Sequence, residues 1–241
     1  MKSHGLKPHP GYIHHQDSSI VERIREIVFG MQDGMVSTLG AVTGIAIGSG
    51  DKFVVLLAGI AIIAVESISM GIGSYTSSRS QKRLIERMLF EEKEEISEFP
   101  REERAELVGL LQKDGWSQET AQIMANEAGG NDSLMLKEMA YRELHVSPDS
   151  LEHPAENGLF MFAAYIVGGI MPLFAYFFVD IEKAIYVSVI VTLLGLFILG
   201  ASVAKFTKEQ WYKTGAHMLL FGGVALLVGY FVGVLSQNLP I

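Results

Sequence analysis

The sequence predicts an all-α fold: a polytopic membrane protein with five transmembrane helices and a small cytoplasmic helical domain inserted between helices two and three. Three observations lead there. Five apolar runs, Ile27–Gly48, Phe53–Tyr75, Leu159–Val179, Ala184–Ala204 and Gly215–Leu235, each have about the length that crosses a bilayer at ~1.5 Å per residue. Between the second and third lies a polar block, residues 81–156, with 18 of the chain's 27 acids against 9 of its 19 bases, so nearly all the net charge of −8 resides there. Basic residues are also unevenly distributed. Arg23 and Arg25 precede the first run, Arg79, Lys82, Arg83 and Arg87 follow the second, and Lys205, Lys208 and Lys213 join the fourth to the fifth; the opposite side has only Lys52 and Lys183. By the positive-inside rule the N-terminus and the acidic block are cytoplasmic and the C-terminus is outside.

Taken in order, residues 1–19 form a polar tail without an apolar core, so a cleavable signal peptide is not expected. The tail's His14 and His15 read as part of a disordered end rather than as ligands. Residues 20–80 hold the first two spans. Each contains one acid in an otherwise uncharged run: Asp33 in span one and Glu66 in span two. A charge at mid-membrane costs on the order of 3 kcal/mol even on lenient scales, and chains keep it where it faces a pathway, an ion or a proton relay. On span two, Glu66, Met70, Ser74 and Ser77 fall near one helical face; on span one, Asp33, Ser37 and Gly44 do the same. A carboxylate one turn from a thioether combines a hard and a soft donor, a mixture suited to a first-row transition metal. The plain alternatives are core packing for Met70 and a buried, paired acid for Asp33 and Glu66. Gly40, Gly44 and Gly48 in span one, and Gly229 and Gly233 in span five, form small-residue faces that serve either a dimer interface or internal packing.

The inserted domain, residues 81–156, begins as an extension of span two, because neither Gly nor Pro interrupts the chain between Gly73 and Pro100. Leu84, Ile85, Met88, Leu89 and Ile96 give that extension a packing face. Pro100 suits the first turn of the next helix, with Glu102 and Glu103 favourable at its positive end and Gly115 closing it. Ser117 is an N-cap for a second helix that stops at Gly129–Gly130, and Asp132 for a third that ends before Pro148. The acids are patterned: Glu92/Glu95 and Glu103/Glu106 are among the pairs three apart on one face, where like charges repel unless a cation joins them. Oxygen ligands of this kind suit iron(II), manganese, magnesium or calcium; the alternative is a solvated acidic face.

Residues 157–241 supply spans three to five, which carry no Asp, Glu, Lys or Arg. Pro172 is expected to kink span three. His217, near the start of span five, reads as a packing or interfacial residue. The absence of cysteine excludes disulfides and thiolate metal sites. No HExxH, EF-hand loop, Walker A, GxGxxG or GxSxG pattern occurs, so the chain is not expected to be an enzyme or to hold a resident cofactor. No nucleic-acid partner is expected.

The stretches DGMVSTLGAVTGIA (Asp33–Ala46), ISMGIGSYTSSRSQ (Ile68–Gln81) and GGIMPLFAY (Gly168–Tyr176), with the acidic helical insert, resemble the vacuolar iron transporter family across about residues 20–237. The resemblance implies a proton-coupled homodimer that exports iron(II), and in some members manganese, from the cytosol, with spans one and two of both subunits lining the path. It assigns Asp33 and Met70 to that path. It assigns Glu92, Glu95, Glu103, Glu106 and Glu143 to metal binding in the insert, together with Met139; the neighbouring position, often a second methionine, is Ala140 here. Plant-type members carry a pathway glutamate two turns before the methionine, where this chain has Ile62; the acid nearby is Glu66. Two readings follow. In the first, divalent metal gathers on the cytoplasmic glutamates and leaves through Asp33, Glu66 and Met70 in exchange for protons. In the second, the protein is a membrane-anchored metal sensor or buffer. The expected location is the cell membrane, with the vacuolar membrane as the alternative.

Overall fold

The computed structural model describes residues 18–146 and 153–237. Those residues form eight α-helices and no strand: α1 Ser18–Ser49, α2 Lys52–Glu98, α3 Pro100–Lys113, α4 Gln118–Ala128, α5 Asp132–Arg142, α6 Pro154–Phe178, α7 Ile181–Thr207 and α8 Trp211–Gln237. Four of them, α2, α6, α7 and α8, are long and apolar enough to cross a membrane. The helix that contains the first apolar run, α1, is not among the four. Its position explains its composition. It packs against α2, α6, α7 and α8, and Met35, Leu39 and Val42 are wholly buried beside buried Thr38 and Thr43. A helix enclosed by others can carry polar residues that meet its neighbours, whereas a side turned to lipid must be apolar. Accordingly, large apolar side chains cover the outside of α2, α7 and α8, among them Leu57, Ile68, Ile190, Leu194, Leu227 and Phe231.

Small residues set the close approaches. The buried positions of α7 recur every fourth residue through Ala184, Ser188, Thr192, Leu196, Gly200 and Ala204, and those of α2 through Val55, Gly59, Ile63, Ser67 and Gly71. The glycine face of α1 lies against α8 of the same chain: a methyl group on Gly44 would sit 2.8 Å from the Gly229 carbonyl oxygen, and one on Gly40 would sit 2.9 Å from that of Ala225. Of the two uses open to the glycine face, internal packing is the one seen. Helix α6 runs unbroken through Pro172, whose carbonyl accepts a 2.6 Å hydrogen bond from Ser188 Oγ.

The turn from α1 to α2 uses Gly50 at φ +62°, and Asp51 caps α2 by accepting from the Phe53 and Val54 amides. Helix α2 is one rod of 47 residues, about 70 Å long at ~1.5 Å per residue. It ends where Pro100 opens α3. Gly115, at φ +98°, closes α3, and Ser117 caps α4. The cap of α5 is Asn131 rather than Asp132: the Asn131 side chain accepts from the Ser133 and Leu134 amides, at 3.1 and 3.2 Å, and Asp132 becomes a first-turn acid facing the positive helix end. Helices α3, α4 and α5 pack on one another, and α3 and α5 pack on the far end of α2. Their core holds Ile96, Leu107, Leu111, Ala121, Ala125, Ala128, Met135 and Met139. The packing face expected along the α2 extension is realised only there. Ile96 is buried, Ile85, Met88 and Leu89 are half-buried, and Leu84 is exposed, because the small bundle covers only the last turns of the rod. His14, His15 and Pro148 lie outside the described residues.

Candidate metal sites on one helix

The acids of the small bundle converge from three helices. Glu92 on α2, Glu103 on α3 and Glu143, which caps α5, each direct a carboxylate oxygen to within 4.8 Å of the others. Glu92 and Glu103 are buried, and each keeps one oxygen without a hydrogen-bond partner; Glu143 lies nearer solvent. Glu95 and Glu106 stand one turn along their own helices; the charge of Glu95 raises all three carboxyls and that of Glu106 raises Glu103 and Glu143. Burial, followed by the charges of Glu143, Glu103 and Glu95, pushes the Glu92 carboxyl up to about 8. Glu103 and Glu143 are also raised, first by burial, then by Glu106. A hydrogen bond from protonated Glu92 to Glu103 further favours the proton on Glu92 and the charge on Glu103. Five carboxylates in one place repel one another until a proton or a cation joins them, and an all-oxygen set with buried, unpartnered lone pairs fits a divalent ion. Met139 stands one turn before Glu143 and is wholly buried in the core of the bundle.

The second group lies on the apolar stretches of α1 and α2. Asp33 is half-buried and close enough to Glu66 for the two charges to interact. Ser37, one turn on, donates to the Asp33 carbonyl oxygen at 2.7 Å and pairs with the Tyr165 hydroxyl at 2.7 Å. Glu66 is exposed on the outer face of α2, and Met70, one turn further, is half-buried. Ile62, one turn before Glu66, is half-buried.

One acid escaped the reading of the sequence. Glu26 on α1 is 5 % exposed, accepts a 2.7 Å hydrogen bond from Ser74 Oγ on α2, and pairs with Arg25 at 2.9 Å. Ser74 is one turn beyond Met70, so the Glu26–Ser74 contact continues the line of Asp33, Glu66 and Met70 toward the small bundle. Glu26 stands among charged neighbours, just before the apolar run begins at Ile27, and so reads as solvated. Its spacing of two helical turns from Asp33 was the available signal. His217 is exposed near the start of α8 and belongs to neither group.

The fold and these two groups define a class: an all-α membrane protein whose longest helix joins a carboxylate cluster to an acid on its own apolar stretch. The chain matches the VIT family over residues 24–234. It is 30 % identical to vacuolar iron transporter 1 of Eucalyptus grandis, over 90 % of this chain and 88 % of that protein. It is 27 % identical to vacuolar iron transporter 1 of Arabidopsis thaliana, over 93 % and 91 %, and 29 % identical to the vacuolar iron transporter of Plasmodium falciparum isolate 3D7, over 98 % and 88 %. The protein belongs to the VIT family, a family of membrane transporters and not an enzyme class.

Proposed function

We propose that this protein exports iron(II), with manganese as a second substrate, from the cytosol in exchange for protons. The relatives' names support iron as the cargo. The observation that carries the transport reading is that α2 bears both groups: Glu66 and Met70 lie in its apolar half, and Glu92 in the buried cluster about 39 Å further along at ~1.5 Å per residue. A sensor or buffer needs the cluster alone. It has no use for acids kept on the apolar stretches of α1 and α2, where a charge is costly.

In this reading α1 is the fifth span. The small bundle, within residues 81–156, is cytoplasmic and gathers metal on Glu92, Glu103 and Glu143. Glu95 and Glu106 add charge beside it, and Met139, one turn before Glu143, is the candidate thioether donor. The ion then passes Glu26 to Asp33, Glu66 and Met70. A carboxylate cannot hold a proton and a full-strength metal bond together, so competition at Asp33 and Glu66 couples the two flows. Exposure supports a homodimer: Glu66 is open on the outside of a single chain. A second copy of α2 would cover it and bring two such acids to one path. The relatives' names favour a vacuolar membrane over the cell membrane.

The test is metal flux into proteoliposomes with and without a pH gradient. Uptake of iron(II) or manganese that responds to the gradient supports the transporter. Metal binding without uptake supports the sensor.

A further inference from the structure

Two helices, α1 and α2, supply every acid of the path described so far. A third reaches it. Tyr165 of α6 is wholly buried, and its hydroxyl lies 2.7 Å from Ser37 Oγ. Ser37 spends its single proton on the Asp33 carbonyl oxygen, at 2.7 Å. The phenol is therefore the donor in the Tyr165–Ser37 pair, and the lone pairs of its oxygen remain to accept. The same phenol lies within electrostatic reach of Asp33 and Glu66. Thr38, the next residue of α1, is also wholly buried, and its hydroxyl approaches the Tyr165 phenol without making a well-formed hydrogen bond.

Buried hydroxyls are normally paired. A poorly satisfied hydroxyl beside a phenol that reaches two carboxylates retains capacity to bond a guest oxygen. A packing role alone would not require the phenolic hydroxyl, since phenylalanine has the same ring. The charged groups facing this place are Asp33 of α1 and Glu66 of α2; the apolar runs of α6, α7 and α8 carry none. Water on a divalent cation turns its hydrogens outward, so the wall that receives it must accept hydrogen bonds. Asp33, Glu66 and the phenol oxygen do so, and the Thr38 hydroxyl can both give and accept.

We propose that Tyr165 is a positioning residue of the path, and that its hydroxyl, with those of Ser37 and Thr38, forms a polar waist beside Asp33 that takes the divalent ion with part of its water shell. This rests on the transport reading above.

The experiment uses the full chain in proteoliposomes, with Mn2+ as the probe. Initial uptake rate is measured against Mn2+ concentration and against pH, for wild type, Tyr165→Phe, Thr38→Val and Thr38→Ser. Wild-type flux alone tests transport, and the variants relative to wild type test the waist. Tyr165→Phe and Thr38→Val, which keep bulk and lose a hydroxyl, are expected to lower the maximal rate at least fivefold and to shift the pH–rate profile. Thermal unfolding and Mn2+ binding by the carboxylate cluster should stay at wild-type values. Thr38→Ser, which keeps the hydroxyl, should retain the wild-type rate. Wild-type rates and pH profiles in both hydroxyl-deleting variants would overturn the proposal. So would a loss in Thr38→Ser equal to that in Thr38→Val, because packing would then be the cause.

Discussion

Glu92 and Glu66 are the two acids on which the proposed mechanism turns. Glu92 is buried among carboxylates and holds its proton up to about pH 8. Metal must displace that proton, so apparent Mn2+ affinity of the full protein should rise steeply between pH 6 and 8.5. Glu92→Gln should weaken binding at least tenfold and flatten that pH dependence, as isothermal titration across the range would reveal. The same raised pKa has a consequence for folding. The folded form binds more protons than the unfolded one between about pH 4.5 and 8, so this contribution to stability is complete below the lower value and is lost as pH rises through the upper one. Metal-free protein should therefore melt at a lower temperature at pH 9 than at pH 5, with Glu92→Gln reducing the difference. Glu66 is proposed as the proton-coupling residue. Glu66→Gln should abolish flux driven by a pH gradient and leave downhill leak, while Ile62→Glu with Glu66→Gly should restore part of the coupling. An intact pH response in Glu66→Gln would leave Asp33 as the sole proton carrier.

Helix α2 was legible in the sequence from end to end, because the absence of Gly and Pro from residues 74–99 leaves nothing to interrupt it and Pro100 sets its limit. The carboxylate cluster was legible only within each helix. Three-residue spacing pairs Glu92 with Glu95 and Glu103 with Glu106, but the meeting of α2, α3 and α5 is a matter of packing, and Glu143 came from family resemblance alone. Helix α1 was harder still. Its glycine face suits a partner in the same chain or in another, and periodicity does not separate the two; here α8 occupies it. Glu26 was hidden because neighbouring charges disguise a buried acid. The choice of Asn131 over Asp132 as cap turned on one residue of register. The glycine geometry also relocates the test for a dimer. A side chain on Gly44 would strike the Gly229 backbone, whereas Gly73 of α2 is exposed with no atom within 4 Å of an added Cβ. Gly73 is two turns from Glu66. Gly73→Cys, in a chain that has no other cysteine, should cross-link in native membranes, and Gly44→Cys should not. Monomer alone from Gly73 and neighbouring exposed positions of α2 would count against a dimer built on that helix.

The whole molecule separates its charges along one axis. Acids concentrate around the far end of α2, the apolar helices carry almost none, and the few in the bundle lie on α1 and α2. In the proposed function, that arrangement gathers cations at one end and admits them at the other. The central claim is movement rather than storage, and it is tested most directly by Mn2+ or iron(II) uptake into proteoliposomes containing the full chain, with the lumen acidified or held at equal pH. Uptake that accelerates in the acidified vesicles and is lost in Asp33→Asn, at equal protein incorporation, is the predicted result. Binding of metal to the outer face with no accumulation at either lumen pH would contradict it.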